Sequence, residues 1–193
     1  MIYYIMGKSA TGKDTVYRKI REDFPEIRPV ILYTTRPMRE GEEEGREYYF
    51  IKPEILNTLD REGVVIERRA YNTVNGIWEY ATVDDGTINA DDDAAYLAIG
   101  TLEAYTKMKA YYGKEMLTPI YLYASDGTRI RRAIKREGEQ ERPDYKEMCR
   151  RFLADYEDFS NENLIKAGIE DGYEIEVFED CYAKICETLR AGR

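Results

Sequence analysis

The chain contains no histidine, and that absence excludes several kinds of site. Among its 193 residues there is no imidazole to act as a general base, to complete a Ser-His triad or to ligate a metal. Cysteine is also scarce. The three cysteines do not have the spacing of a zinc site, so we expect Cys149, Cys181 and Cys186 to be buried, reduced thiols.

Long hydrophobic runs and net positive charge are missing as well. No apolar stretch approaches the roughly 20 residues that cross a bilayer, and the first residues lack the basic, apolar and small-residue order of a secretion signal. With 29 Lys and Arg against 38 Asp and Glu, the net charge is -9, which disfavours general binding to DNA, RNA or anionic lipid. We therefore expect a cytoplasmic protein without a nucleic-acid or membrane partner, which holds anionic ligands in a local basic cluster.

What the sequence does contain is an alternation of short β-like runs with longer helical stretches. Its length fits one domain, and 43% hydrophobic residues can fill a core. The alternation is typical of an α/β domain with a largely parallel sheet. Composition predicts strands at 2–6, around 29–34, 96–100, 120–124 and 173–178. Apolar spacing predicts helices at 13–22, 102–112 and 145–159, and a closing helix that contains Tyr182, Ile185 and Leu189.

Two stretches depart from this alternation. Residues 46–83 are rich in aromatic and β-branched residues separated by glycine-containing turns, which predicts a small, mainly β insertion. Residues 136–144 are charged, contain Gly138 and Pro143, and lie between two helical patterns. This second stretch is either a solvated loop or a mobile lid.

A glycine-rich segment directly after the first predicted strand carries the strongest functional signal. Gly7 to Lys13 matches G-x-x-x-x-G-K, between a strand and a helix. Glycines let successive backbone N–H groups face inward, the helix adds its positive N-terminal end, and Lys13 supplies a point charge. The segment therefore predicts a nucleotide-phosphate site, such as a GTPase, an ATPase, a transporter motor or a small-molecule kinase has. That the nucleotide is ATP is implied by the family resemblance described below. The predicted ATP-binding residues of the segment are Gly7, Lys8, Ser9, Ala10, Thr11, Gly12, Lys13, Asp14 and Thr15.

The residue after Lys13 determines how a magnesium ion would be held. Most such loops have Ser or Thr at this position, whereas this chain has Asp14. The metal ligand is either the hydroxyl of Thr15 or the carboxylate of Asp14, since Mg²⁺ prefers hard oxygen ligands. An acidic residue at a helix start is also favoured by the helix dipole without any metal. We expect Mg²⁺ as the cofactor, and both ligand candidates stay open.

A second candidate phosphate site follows in residues 33–51. Arg36 and Arg39 share one short loop, and Tyr48 lies at the edge of the predicted insertion. Two guanidiniums and a phenol can form a fork around a phosphate separate from the one held by the first loop. A simple GTPase has no need for such a second clamp, so the pair of sites favours a phosphotransferase.

This segment resembles the guanylate kinase family. The family pattern T-T-R-x-x-R-x-G-E-x-x-G-x-x-Y is matched with its spacing intact by Thr34, Thr35, Arg36, Arg39, Gly41, Glu42, Gly45 and Tyr48. The similarity of order continues to the C-terminus. It implies a P-loop NTPase-type α/β fold with a mostly parallel sheet, flanking helices, a mainly β NMP-binding insertion and a lid. The implied divisions are a core of 1–33 and 84–193, an insertion of about 34–83 and a lid of about 136–150.

The resemblance also implies roles for individual residues. Arg36, Arg39 and Tyr48 would grip the phosphate of GMP. Glu67 would accept hydrogen bonds from the two adjacent donors of guanine, unless it is an exposed strand carboxylate paired with Arg68 or Arg69. Asn75 would lie at the acceptor site, in place of a tyrosine. The residues expected to act in catalysis are Lys13, Arg36, Arg132, Arg136 and Arg151, of which the last three would meet the ATP phosphates.

The sequence departs from the family pattern near the expected base site. Leu32 replaces a serine, Asn75 a tyrosine and Ile77 a Ser or Thr, while Ala98 and Gly100 stand where the family has aspartates. We expect transfer of the ATP γ-phosphoryl group to GMP, giving ADP and GDP. A kinase for another nucleoside monophosphate and a non-catalytic guanylate-kinase-like interaction module are the alternatives.

Overall fold

The chain forms two β-sheets with helices packed around them. The computed structural model describes residues 1–73, 76–89 and 92–192. Its strands are β1 (Ile2–Gly7), β2 (Arg28–Pro29), β3 (Leu32–Thr34), β4 (Tyr48–Phe50), β5 (Val65–Thr73), β6 (Gly76–Val83), β7 (Tyr96–Ile99), β8 (Leu117–Tyr123) and β9 (Tyr173–Glu174). Its α-helices are α1 (Lys13–Asp23), α2 (Pro53–Arg61), α3 (Leu102–Tyr112), α4 (Asp126–Gly138), α5 (Tyr145–Asp158), α6 (Asn161–Ala167) and α7 (Phe178–Ala191).

The larger sheet is parallel, and β1 lies at its centre. The strand order is β2-β7-β1-β8-β9, and each neighbouring pair is parallel. The carboxyl ends of parallel strands meet at one edge of a sheet, where α/β folds bind their ligands. The glycine-rich loop leaves β1 at this edge. The predicted α/β class with a mostly parallel sheet is confirmed.

Both faces of the larger sheet are covered, which explains why β1 is apolar or aromatic throughout. Along a strand, successive side chains point to opposite faces. Tyr4 and Met6 pack in one cluster with Tyr105 of α3, whereas Tyr3 and Ile5 pack in another with residues of α1 and α7. A strand buried on both faces is expected to lack polar alternation.

The smaller sheet holds the predicted insertion. Its order is β4-β3-β6-β5, with β3 and β4 parallel and the other pairs antiparallel. Leu56 of α2 packs against Ala81 and Val83 of β6 to give this sheet its own small core. The insertion is mainly β, as predicted, with one helix beside the sheet. None of the helices in the described ranges combines the length and apolarity needed to span a bilayer.

The prediction of one strand around 29–34 is wrong, because the chain changes sheets within that run. Arg28 and Pro29 pair with β7 in the larger sheet, whereas Leu32 to Thr34 pair with β4 and β6 in the smaller one. The backbone N–H of Val30 still donates to the carbonyl of Leu97 in β7 at 2.8 Å, and the chain leaves the larger sheet after that bond. Residues 30–31 therefore connect the two sheets.

Three further expectations also need correction. The strand predicted at 173–178 is only Tyr173–Glu174, and Phe178 already begins α7. The loop predicted at 136–144 starts later, because α4 continues to Gly138. Of the three cysteines expected to be buried, Cys149 is exposed. It lies on α5, where helical spacing alone does not tell which face meets the solvent.

Candidate active site

The glycine-rich loop curls tightly between β1 and α1. A Cβ on Gly7 would lie 2.3 Å from the backbone oxygen of Leu122 in β8, so no side chain fits there. Gly12 has φ 104°, which L-residues rarely adopt, directly before α1 begins. Ala10 has φ 60° although it carries a side chain. These conformations turn the loop into a compact cradle at the N-terminus of α1, where an anion is favoured.

Lys13 lies in this cradle among other positive charges. Its Nζ donates to the carbonyl of Lys8 at 3.2 Å, which keeps the ammonium over the loop. Burial lowers the pKa of the Lys13 ammonium below its ordinary value. The negative charges of Asp14 and Asp155 oppose this shift of the pKa, whereas the positive charges of Arg151 and Arg136 add to it. A concentration of positive charge at a helix N-terminus suits a polyphosphate.

The three arginines expected to meet ATP phosphates come from two helices that flank the loop. Arg132 of α4 donates to the carbonyl of Thr11 at 3.2 Å and to that of Ile175 at 2.9 Å. Arg136 lies one turn further along α4, and Arg151 lies on α5; both are exposed. Arg132 therefore contacts the glycine-rich loop directly, whereas Arg136 and Arg151 have an electrostatic effect on Lys13.

A buried ion pair that sequence analysis missed ties the same helices to the loop. Arg129 of α4 is 0% exposed and pairs with Asp155 of α5. Asp155 accepts from the backbone N–H of Ser9 at 2.9 Å, while Arg129 Nε donates to the Ser9 carbonyl at 3.0 Å. Both backbone groups of Ser9 are thus held by side chains of α4 and α5. A basic run on a helix gave no signal that one of its arginines is buried.

The second predicted phosphate site is built around a buried arginine. Arg36 is 4% exposed, and its two terminal nitrogens donate to Glu42 at 2.7 and 2.5 Å. Its guanidinium lies over the rings of Tyr48 at 5.0 Å and Phe50 at 5.2 Å. Glu42 also accepts from the backbone N–H of Arg39 at 2.8 Å, so one carboxylate orients both predicted arginines. The Arg39 side chain itself is exposed.

Asp14 links the two sites electrostatically. Burial raises the pKa of the Tyr48 hydroxyl, and the charge of Asp14, in the first turn of α1, is among those that raise it further. The negative charge of Asp14 also raises the pKa of Lys13.

Glu67 is the carboxylate predicted to receive guanine, and the structure places it under another side chain. It is 3% exposed, so it is not the exposed strand residue of the alternative interpretation. Its oxygens accept from Arg69 Nε at 2.9 Å, Arg69 Nη2 at 3.1 Å and Thr82 Oγ1 at 3.0 Å. The role of Glu67 in guanine binding stays a prediction, and it requires Arg69 to move or to share the carboxylate.

The positions that depart from the family pattern have structural counterparts. A Cβ on Gly100 would lie 2.2 Å from the hydroxyl oxygen of Tyr4, a residue that is 2% exposed. Tyr4 thus fills the space that a side chain at position 100 would need. Leu32 is half-buried in β3, and Ile77 is 62% exposed on β6. Asn75 lies outside the described residues.

The two candidate magnesium ligands differ in position. The charge of Asp14 raises the pKa values of Lys13 and Tyr48. Thr15 instead lines a surface depression with Arg18 and Glu22 on α1. No group of three or more acidic or cysteine side chains converges within the described ranges. Mg²⁺ in phosphotransferases usually takes one or two carboxylates together with substrate phosphates and waters. Asp14 beside the loop fits that donor set better than Thr15 does.

Comparisons with known proteins agree with this geometry. The family model described as "Guanylate kinase" matches residues 2–164. A guanylate kinase from Syntrophotalea carbinolica is 39% identical over 67 residues, which are 35% of this chain and 32% of that protein. One from Tropheryma whipplei is 33% identical over 82 residues, which are 42% of this chain and 41% of that protein. The aligned part therefore spans less than half the length of these curated relatives.

The fold also matches a solved structure. The crystal structure of guanylate kinase from Anaplasma phagocytophilum superposes with a TM-score of 0.67 at 20% identity, and the match covers 99% of this chain and 85% of that chain. This likeness supports the architecture of two sheets with flanking helices. Since the family model covers most of the sequence, the protein belongs to the guanylate kinase family.

Proposed function

We propose that this protein is an ATP-dependent nucleoside monophosphate kinase that converts ATP and GMP to ADP and GDP. The observation that carries the proposal is the presence of two basic sites in one chain, the glycine-rich loop with Lys13 over it and the buried Arg36 held by Glu42. Phosphoryl transfer needs little covalent help from the protein. It requires two phosphates held in line, charge neutralised and water excluded.

Each site has a distinct role in this proposal. Lys13 and the loop amides hold the β- and γ-phosphates of ATP. Arg36 and Tyr48 hold the phosphate of the acceptor, and the exposed Arg39 side chain closes onto it from the loop. Glu42 keeps the Arg36 guanidinium in place through two hydrogen bonds, so the fork is oriented before the acceptor arrives.

The arginines of α4 and α5 act on the transferring group. Arg132 is bonded to the Thr11 carbonyl of the loop, and Arg136 and Arg151 lie near Lys13. Their charges stabilise the negative charge that spreads over the equatorial oxygens during transfer. We propose that the segment of about 136–150, which joins the two helices, acts as the lid and that its closure excludes water.

Asp14 is the residue we propose to hold Mg²⁺, with Thr15 as the less well placed candidate. Such an ion would neutralise part of the charge of the ATP phosphates. Free cysteines and the net charge of -9 support a cytoplasmic location as part of the proposal.

A coupled assay of ADP formation tests the proposal. ATP and Mg²⁺ are supplied with GMP, dGMP, AMP, UMP or CMP singly, and we expect ADP formation to depend on GMP. Lys13→Ala should lower kcat by at least about 100-fold, since it removes a charge aimed at the transferring group. Lys19→Ala is the matched control, because Lys19 lies on α1 in an exposed ion pair with Asp23. ADP formation that no acceptor stimulates, or a Lys13→Ala variant with normal turnover, would refute the kinase assignment.

The interaction-module alternative predicts a different result in the same assay. A module without activity needs no cradle of backbone amides and no lysine over it. In this chain the loop conformation, the Lys13 contact and the arginine cluster are all present together. Their presence favours the enzyme over the module.

A further inference from the structure

Arg69 lies where the nucleobase of the acceptor is expected. On β5 it is the register partner of Tyr80 on β6, so both side chains share one face of the smaller sheet. The Tyr80 ring contacts the ring of Tyr48 at a centroid distance of 5.5 Å. That face therefore runs from the acceptor-phosphate site toward Arg69, whose Nη1 donates across the cleft to Thr101 Oγ1 at 3.1 Å.

The carboxylate beneath Arg69 has little capacity left for a base. Oε1 of Glu67 accepts from Arg69 and Thr82, and Oε2 accepts from Arg69. With two lone pairs on each oxygen, one acceptor position remains, on a side chain that is 0% exposed. Guanine would need two acceptors for its N1–H and 2-amino group.

Packing excludes a carboxylate at position 100. Position 100 is glycine, and the buried hydroxyl of Tyr4 occupies the space beside it. Tyr4 donates to the carbonyl of Thr101 at 3.2 Å, which fixes the ring there. Position 100 therefore supplies no carboxylate to the 2-amino group of a purine. The acidic residues that line the cavity beside Arg69 lie on α3 and α5 instead: Glu103, which pairs with Lys107, and Asp158.

Arg69 itself has donors to spare. Its guanidinium carries five N–H groups. Three of them are used, by Glu67 twice and by Thr101 once, which leaves one on Nη1 and one on Nη2 with no partner among the described residues. Arg69 lines a cavity of about 410 Å³ together with Tyr71 and Thr101. Glu67 thus holds the Arg69 guanidinium in place. The two remaining N–H donors, one on Nη1 and one on Nη2, are available to a ligand in the cleft.

We propose that Arg69 is the specificity-determining residue for the base, and that the acceptors are 6-oxopurine nucleoside monophosphates bound through O6 and N7. Arginine donates to this pair of adjacent acceptors in a bidentate geometry. Adenine presents a donor in place of O6, so it is rejected. Glu67 has only one acceptor position left, so the 2-amino group of guanine adds little to binding. The hypoxanthine nucleotide IMP is therefore accepted nearly as well as GMP. This inference rests on the proposed kinase function.

The wild-type protein provides the first test. In the coupled assay, kcat/KM for IMP should lie within about tenfold of that for GMP, whereas AMP should be at least about 100-fold poorer, because a bidentate contact discriminates strongly. Binding is measured separately from turnover through the fluorescence of Trp78, the register partner of Tyr71 on the same sheet. The dissociation constants of GMP and IMP should then differ by less than about tenfold as well.

Arg69→Lys tests the residue without leaving Glu67 unpaired. It keeps the positive charge but removes the fork, so kcat/KM should fall about 10- to 100-fold for GMP and for IMP alike, mainly through KM. Arg68→Lys is the matched control. Arg68 points to the opposite face and donates to Glu79 at 2.8 Å, so its replacement should leave both values unchanged.

Two results would overturn the inference and leave the kinase function intact. One is a preference for GMP over IMP of more than about 100-fold, which would mean that Glu67 reads the 2-amino group. The other is an Arg69→Lys variant with unchanged KM for GMP. If no nucleoside monophosphate is phosphorylated, the proposed function fails, and the binding constants then decide the inference about Arg69.

Discussion

Replacement of Asp155 by alanine should destabilise the protein through a charge left without its partner. Asp155 is 7% exposed, and its partner Arg129 is 0% exposed, so the guanidinium has almost no water to replace the lost carboxylate. Breaking a buried ion pair by removing one partner costs about 3–5 kcal/mol. Arg129 keeps a hydrogen bond to Asp126 at 2.8 Å, so we expect the lower end, about 3 kcal/mol. For a chain of this length that corresponds to a melting temperature lower by about 6–12 °C.

Urea unfolding at pH 7, followed by the fluorescence of Trp78, measures this loss. Asp126→Ala is the control, because Asp126 pairs with the same Arg129 from an exposed position and should cost about 1 kcal/mol or less. Arg129→Met combined with Asp155→Leu removes both charges and should recover part of the stability. The reasoning is refuted if Asp155→Ala and Asp126→Ala have the same effect, or if Asp155→Ala stays within about 1 kcal/mol of the wild type.

Two further predictions concern the loops of the site. The guanidinium of Arg36 lowers the pKa of Glu42 from 4.5 to about 2, so this carboxylate stabilises the fold above about pH 4.5, and its contribution is lost as the pH falls toward 2. The stability advantage of the wild type over Glu42→Gln, up to about 3 kcal/mol in urea unfolding at pH 7, should therefore shrink over that range; an advantage independent of pH would contradict the assignment. Ala10→Gly relieves a left-handed conformation that costs an L-residue about 1–2 kcal/mol, so its melting temperature should equal or exceed that of the wild type. Ala183→Gly, in the exposed interior of α7, should lose about 1 kcal/mol, and equal losses at both positions would refute the argument.

The sequence predicted those parts of the site that are local in the chain. The glycine-rich loop depends on glycines, a lysine and a following helix within a few residues, and the structure has the loop at that place. Arg36 and Tyr48 are likewise close in sequence, and their spacing was enough to predict that they act together. Local spacing is sufficient when the backbone between two residues leaves few alternative geometries.

Contacts between distant residues could not be predicted in the same way. Arg129 and Asp155 are 26 positions apart on two helices, and each helix taken alone has several charged residues with the same appearance. Arg69, which covers Glu67, also donates to Thr101, the residue before α3, which is 32 positions away. The change of sheet after Pro29 depends on pairing with β7 and β6, which a run of apolar residues does not reveal.

The central claim is that two anion sites hold the two substrates with their phosphates facing, and binding of a single molecule that contains both halves tests it most directly. A guanosine and an adenosine joined 5′ to 5′ through five phosphates should bind at one molecule per chain in isothermal titration calorimetry. Lys13→Ala and Arg36→Gln should each weaken that binding by at least about tenfold, since each removes a charge-assisted contact from a different end. Binding of two molecules per chain, or an affinity that depends on only one of these residues, would contradict the account.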